Sequence, residues 1–324
     1  MISMKRALLL FFALVVLTAC NSHENTPTQS RLQATVSRQP PTSKVVIFVI
    51  DGARYSETFG DTDHALIPHI WDDLRPLGAI LTSFRNNGET VTVPGHAALC
   101  TGTWQSLAND GSERPDRPTL FEYYRQWYAA AASDAYVISG KPKLDVCAWG
   151  TDPDYGPAFG ATADVGYGSD VAVYDRLLTV LQTQQPHLVM ACFPQVDWAG
   201  HSGVWNDYTG AITGADSLVW KTWEYLQSDP YYAGQTYLFV TNDHGRHTDV
   251  NGGFTSHGDG CIGCRHLMFM ALGPDIRANF ASAGIFSQRD LARTVGQILD
   301  FPVNRADGTV ILDIFQFSPT GIKR

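Results

Sequence analysis

Two spacings of apolar residues alternate along the chain. Residues 45–50 (VVIFVI) and 188–193 (LVMACF) are uninterrupted apolar runs, the pattern of strands buried on both faces. Residues 237–241 and 267–272 read the same way, with shorter strands at 79–84 and 136–139. Helices are predicted at 66–77, 119–132, 170–184, 209–227 and 288–299, between these runs. Residues 140–169 are dense in Gly, Asp and Tyr with little periodicity, and a loop of that length in a compact domain usually carries function or covers something. Nearly all-apolar strands alternating with helices predict an α/β three-layer sandwich, a mostly parallel central sheet with helices on both faces.

The amino terminus departs from this pattern. Lys5 and Arg6 precede an apolar run at residues 7–17, too short to span a bilayer as a mature helix, so it reads as an export signal. Its ending, Leu17-Thr18-Ala19-Cys20, resembles the lipobox of bacterial lipoproteins, in which the cysteine becomes the lipidated first residue. That resemblance implies a periplasmic or cell-surface protein that meets the membrane only through a lipid on Cys20. The expected organisation is a signal peptide at 1–19, a flexible tether rich in Ser, Thr, Gln and Pro at 20–44, and one catalytic domain at 45–324. At 44% hydrophobic composition the chain supports one sizeable α/β core. Once Lys5 and Arg6 leave with the signal, the 23 basic residues become 21 against 32 acidic, a net of −11. Such a surface, with no basic patch to offset it, disfavours nucleic-acid backbones as partners.

Five cysteines follow Cys20, and an odd number in an oxidising compartment leaves at least one unpaired, most simply Cys192 inside an apolar strand. Cys261-x-x-Cys264 is expected as a local disulfide or plain thiols rather than half of a zinc knuckle, because no second pair stands at suitable spacing.

Candidate chemistry begins at residues 86–102, NNGETVTVPGHAALCTG, a loop running into a helix with Pro94 in its first turn. Thr92 then lies at a helix N-terminus, where free N–H groups and the dipole favour a phosphate or similar anion. Taken alone, Thr92 reads first as a helix cap, and it is residues elsewhere in the chain that reverse this. Three apolar strands lead at their carboxyl ends to Asp51, Asp197 and Asp243, and ligands of an open parallel sheet sit outside that edge. His201 completes D-x-x-G-H with Asp197, and His244 follows Asp243 in D-H-G, with Gly200 and Gly245 expected to supply bends. Aspartate oxygen with histidine nitrogen suits zinc, and also manganese, iron or cobalt. Carboxylates packed this densely repel one another unless cations neutralise them.

The ordered set of D-G at Asp51, T-x-P-G-H at Thr92, D-x-x-G-H at Asp197, D-H-G at Asp243 and H-G at His257 resembles the alkaline phosphatase superfamily. Within it, the likeness is to the nucleotide pyrophosphatase/phosphodiesterase branch and the threonine-dependent alkaline phosphatases. GPDIR from Gly273, then DLARTVGQILDFPV and ADGTVILDIF, extend it over nearly the whole domain. The resemblance implies two divalent ions, zinc first, with manganese or iron as alternatives. One would sit on Asp197, His201 and His257, the other on Asp51, Asp243, His244 and the Thr92 oxygen. His257 is preferred to His247 for its H-G context and its distance along the chain.

The implied reaction is in-line attack of Thr92 on phosphorus, followed by hydrolysis of a phosphothreonine. Asn109 stands where related enzymes keep an asparagine that donates to a phosphoryl oxygen. Lys141 and Lys143, read as sharing a face of an extended segment, match a Lys-x-Arg pair that contacts the extra oxygens of a monoester. A lysine in the second place offers a point charge rather than a fork. His96 is expected to pack within the helix. The expected substrate is a phosphorylated small molecule or nucleotide-like ester. The lysines lean towards monoesters, while T-x-P-G-H looks more like the T-F-P-N-H of phosphodiesterases. Sulfatases carry Cys or Ser in C/S-x-P-x-R, so Thr92 and His96 speak against that rival. An envelope phosphotransferase would differ only in its second-step acceptor, and an inactive metal-binding surface lipoprotein would keep the same ligands.

Overall fold

The computed structural model describes residues 38–316, so the expected signal peptide, Cys20 and most of the expected tether lie outside it. Among the described residues of that tether, Arg38 lays its guanidinium over the Trp127 ring at 3.7 Å. The strands in chain order are β1 (Lys44–Ile50), β2 (Ala79–Leu81), β3 (Phe84–Arg85), β4 (Ala135–Ser139), β5 (Thr162–Val165), β6 (Leu188–Phe193), β7 (Thr236–Thr241), β8 (His266–Leu267), β9 (Phe269–Leu272), β10 (Phe280–Ser282) and β11 (Phe286–Ser287). The α-helices are α1 (Thr92–Thr101), α2 (Leu120–Tyr128), α3 (Asp170–Gln184), α4 (Gln195–Ser202), α5 (Trp205–Ser228), α6 (Ile262–Arg265) and α7 (Arg289–Ile298).

The main sheet has eight strands in the order β10-β2-β9-β7-β1-β6-β4-β5, and β9 alone runs antiparallel to its neighbours. Every residue of β1 is buried, and its side chains alternate between two cores. Val45, Ile47 and Val49 pack with residues of α1, α2 and α7, such as Leu99, Phe121 and Leu291. Val46, Phe48 and Ile50 pack with Val173 and Leu177 of α3, Val196 of α4 and Val219 of α5. This is the expected three-layer sandwich with a mostly parallel sheet.

Local structure departs from the apolar pattern where polar or cyclic residues intervene. Residues 66–77 form a π-helical turn (His69–Leu74) and then a 3-10 turn (Arg75–Leu77), because Pro76 has no N–H to continue a helix. The expected strand at 79–84 splits into β2, in the main sheet, and β3, in a three-stranded sheet with β8 and β11. The loop at 140–169 contains a 3-10 helix (Pro142–Ala148) and the edge strand β5, whose Thr162 and Asp164 hid its single apolar face. D-x-x-G-H, expected as a bend after a strand, lies on α4.

The site is positioned by three adjacent strands whose ends are level. Ile50 of β1 is in register with Phe193 of β6, and Val49 with Thr241 of β7, so the segments after β1, β6 and β7 emerge at one edge. Asp170 ties α3 to the start of α4: its carboxylate accepts from Gln195 N at 2.9 Å, and its own N–H donates to Gln195 Oε1 at 3.1 Å. Burial pushes the Asp170 carboxyl up to about 7. A carboxyl with a raised pKa favours the fold when protonated, so its contribution is full below the ordinary value near 4 and is lost as pH rises through 7. Asp170→Asn keeps an acceptor for Gln195 N and removes this loss. Denaturant titrations should show the variant gaining on the parent by up to about 4 kcal/mol between pH 4 and 8, and parallel pH profiles would contradict the assignment.

Candidate active site

Asp51 directly follows β1, Asp197 lies in the first turn of α4, and Asp243 is two residues past β7. All three are buried. Two cations meet them: Lys141 Nζ is 2.6 Å from Asp51 Oδ2 and 2.7 Å from Asp197 Oδ2, and Arg246 Nη1 is 2.6 Å from Asp197 Oδ1. Burial and the neighbouring Asp243 push the Asp51 carboxyl up to about 7. Burial would also raise Asp197, but hydrogen bonds from His201 and His257, with the Lys141 charge, hold it far below the usual carboxylate range. For Lys141 the balance is reversed, since burial lowers its pKa and the Asp51, Asp197 and Asp243 charges more than restore it.

The histidines close around the same carboxylates. His201, one turn after Asp197 on α4, puts Nε2 3.2 Å from Asp197 Oδ1, and His257 Nε2 is 3.4 Å from that oxygen and 3.1 Å from His201 Nε2. His257 Nδ1 donates to Thr90 O at 3.0 Å and His244 Nδ1 to Gly245 O at 2.9 Å, which aims both Nε2 atoms inward at the carboxylates. His244 Nε2 lies 3.5 Å from Asp51 Oδ1 and 3.4 Å from Asp243 Oδ2, and burial pushes its pKa down to about 3, so the ring is neutral. His247, the alternative ligand, lies away from these carboxylates, with Nε2 3.2 Å from Asp259 Oδ1.

Donor atoms of Asp197, His201 and His257 lie within 4.8 Å of one another, as do those of Asp51, Asp197 and His244, and those of Asp51, His96 and Asp243. Both Asp51 oxygens, Asp243 Oδ2 and His244 Nε2 are buried without a hydrogen-bond partner, and Lys141 meets Asp51 as an ion pair only. Converging carboxylate and imidazole lone pairs, more numerous than the cationic donors Lys141 and His96 beside them, fit divalent cations.

Val91, not Thr92, is the N-cap of α1, and no side chain of its own caps the helix through that position. The buried Thr92 is the first helical residue, and its Oγ1 lies 3.4 Å from Lys141 Nζ. Asn109 Oδ1 accepts from Val93 N at 2.8 Å, so Asn109 is brought to the helix start. This also corrects the expectation of several free N–H groups there: Val93 N is engaged, Pro94 has none, and Gly95 N donates to Val91 O. Lys141 and Lys143 do not share a face of an extended segment, because the chain turns into the 3-10 helix at Pro142. Lys143 Nζ donates to Asn109 O at 2.9 Å. Both lysines nevertheless line one cavity of about 720 Å³, with Asp110, Asp197, Trp198 and His201.

Several residues support these groups, and of them only His96 was singled out in the sequence. His96, expected to pack within the helix, donates from Nδ1 to Thr92 O at 2.8 Å and stands 3.1 Å from Asp243 Oδ2. The Asp243 backbone carbonyl accepts from Asn86 Nδ2 at 2.9 Å and Gln288 Nε2 at 2.6 Å. Arg246, fully buried, also donates to Phe254 O and Thr255 O. Its proximity explains Gly200, which bends nothing: a Cβ there would lie 2.5 Å from the Arg246 guanidinium carbon. Gly245 likewise serves close approach, since a Cβ would meet Gly263 O at 2.1 Å. The signals were present, an Arg directly after D-H-G and isolated Asn and Gln beside apolar strands, but polar residues in loops carry no periodicity.

No family model matches the sequence, and no curated protein matches it. Solved structures do match. The lipoteichoic acid synthase LtaP from Listeria monocytogenes aligns at TM-score 0.64 and 12% identity, over 85% of this chain and 76% of that one. A protein in the alkaline phosphatase superfamily from Vibrio parahaemolyticus aligns at TM-score 0.63 and 15% identity, covering 83% and 71%. Murine ectonucleotide pyrophosphatase/phosphodiesterase 5, in complex with AMP, aligns at TM-score 0.60 and 14% identity, covering 82% and 97%. The chain thus has the fold of the alkaline phosphatase superfamily.

Proposed function

We propose that the protein is an exported phosphate-ester hydrolase that uses two divalent ions and forms a phosphothreonine on Thr92. The observation that carries this reading is the Thr92 hydroxyl, uncommitted to capping, 3.4 Å from an ammonium that itself bridges Asp51 and Asp197. Asp197, His201 and His257 would hold one ion, and Asp51, Asp243 and His244 with the Thr92 oxygen the other. Divalent ions so held supply Lewis acidity, favouring ionisation of a nearby hydroxyl and offsetting charge on a phosphoryl group. Thr92 Oγ1 gives its proton to solvent and bonds to phosphorus as the bond to the leaving oxygen breaks and that oxygen takes up a proton. Water then attacks phosphorus, breaking the Oγ1–P bond, returning a proton to Oγ1 and releasing phosphate or a phosphomonoester. Lys141 is held protonated by the carboxylates, so it serves not as the base but as a donor to the Oγ1 charge. With the first-turn N–H groups largely engaged, Lys141, Lys143 and the Asn109 amide are the side chains available to phosphoryl oxygens.

Neighbours named as a phosphodiesterase in complex with AMP and as a lipoteichoic acid synthase support a hydrolase or transferase. His201 is half-exposed at the cavity, which favours water as the second-step acceptor. Thr92→Ala should lower kcat on an aryl phosphate about a thousand-fold or more with metal content unchanged, and retained turnover would remove the nucleophile. Chelation should abolish activity and added zinc or manganese restore it, whereas activity indifferent to chelators contradicts the ions. Lys143→Ala should reduce kcat/KM for an aryl phosphate about tenfold and leave a bis-aryl phosphate nearly unaffected; equal losses would end the monoester role. Export and lipidation rest on Leu17 to Cys20: labelled palmitate should enter the parent and not Cys20→Ala, and equal labelling would exclude that anchor.

A further inference from the structure

We propose that His247, Asp259, Cys261 and Cys264 form a structural zinc site, separate from the active site and independent of its reading. Sequence spacing offered only one Cys-x-x-Cys pair, but the fold brings two further donors to it. Donor atoms of His247, Asp259 and Cys264 lie within 4.8 Å of one another. His247 Nε2 is 3.2 Å from Asp259 Oδ1, Cys264 Sγ is 3.3 Å from the same oxygen, and the Cys261 and Cys264 sulfurs are 3.7 Å apart. Tetrahedral donors at ordinary zinc distances stand about 3.3 Å apart for nitrogen and oxygen, about 3.5 Å for sulfur and oxygen, and about 3.8 Å for two sulfurs. These three edges have tetrahedral lengths, with Cys261 joined to the His247, Asp259 and Cys264 set through its contact with Cys264.

His247 Nε2 is buried and makes no hydrogen bond, although Asp259 is within reach. Two donors facing one ion are placed in this way, rather than as a hydrogen-bonded pair. Asp259 Oδ1 also accepts from Cys261 N at 2.9 Å, which orients the carboxylate from outside the cluster. Both cysteines are free, with sulfurs far beyond a disulfide bond length. Imidazole, carboxylate and two thiolates select zinc over calcium or magnesium.

The site would clamp the loop that carries His257. Gly245 N donates to Cys264 O at 2.8 Å and His247 N to Ser256 O at 2.9 Å, so the backbone is already closed at both ends. His257 is two residues before Asp259 and reaches Asp197 from this loop.

Cobalt loading tests the proposal on the intact protein. The convergent donor sets around Asp51, Asp197 and Asp243 consist of aspartate and histidine alone, so a thiolate-to-cobalt charge-transfer band in the near ultraviolet reports the cysteine site. The wild-type protein should show that band, and Cys264→Ser should lose it together with one zinc per chain, while Asp51→Asn keeps the band. A wild-type protein without the band overturns the proposal and needs no variant to fold. A Cys261–Cys264 disulfide in protein purified from its native compartment without reductant overturns it equally.

Discussion

Three carboxylates at the edge of one sheet repel one another, and the rest of the site is arranged around that repulsion. Two unit charges 4 Å apart cost about 4 kcal/mol at the effective dielectric of a protein, and Asp51, Asp197 and Asp243 are all buried. Lys141 and Arg246 offset part of this, the first between Asp51 and Asp197 and the second behind Asp197. Burial and the remaining repulsion from Asp243 together raise the Asp51 pKa, and Asp51 Oδ1, Asp243 Oδ2 and His244 Nε2 are buried without a hydrogen bond. Positive charge from outside the chain completes such an arrangement, and that is the physical ground for reading it as a metal centre.

Holding like charges together also demands a rigid frame. Asn86 and Gln288 grip the Asp243 carbonyl from two elements, and Asn242 bonds Ala53 O and His244 O at 2.8 Å. Glycines at 52, 95 and 200 let backbone and guanidinium pass where a Cβ would collide with Arg246 or with the Asp243 carbonyl. These contacts make each ligand's direction depend on several segments at once. Preorganisation of this kind is what lets an active site stabilise developing charge without reorganising.

The sheet and the edge of the site were legible because they rest on strand hydrophobicity and on the polar residues just past each strand end. Asp51 and Asp243 came from apolar runs that end abruptly, and helices at 170–184 and 288–299 from their spacing. Asp197 was found for a partly mistaken reason, since it sits on a helix that begins two residues after β6 ends. Arg246 and Gln288 were missed because their importance lies in what they touch across long stretches of chain. Lys143 lines the cavity beside Asp197, although the geometry expected for it was incorrect, as Pro142 turned a supposed extended segment into a 3-10 helix.

The central claim, that buried carboxylates at one sheet edge hold two divalent ions beside Thr92, is tested most directly by anomalous diffraction from crystals grown with zinc. The account predicts one peak bounded by Asp51, Asp243, His244 and Thr92, and a second bounded by Asp197, His201 and His257. An edge with no peak, and Lys141 still joining Asp51 to Asp197, would contradict it.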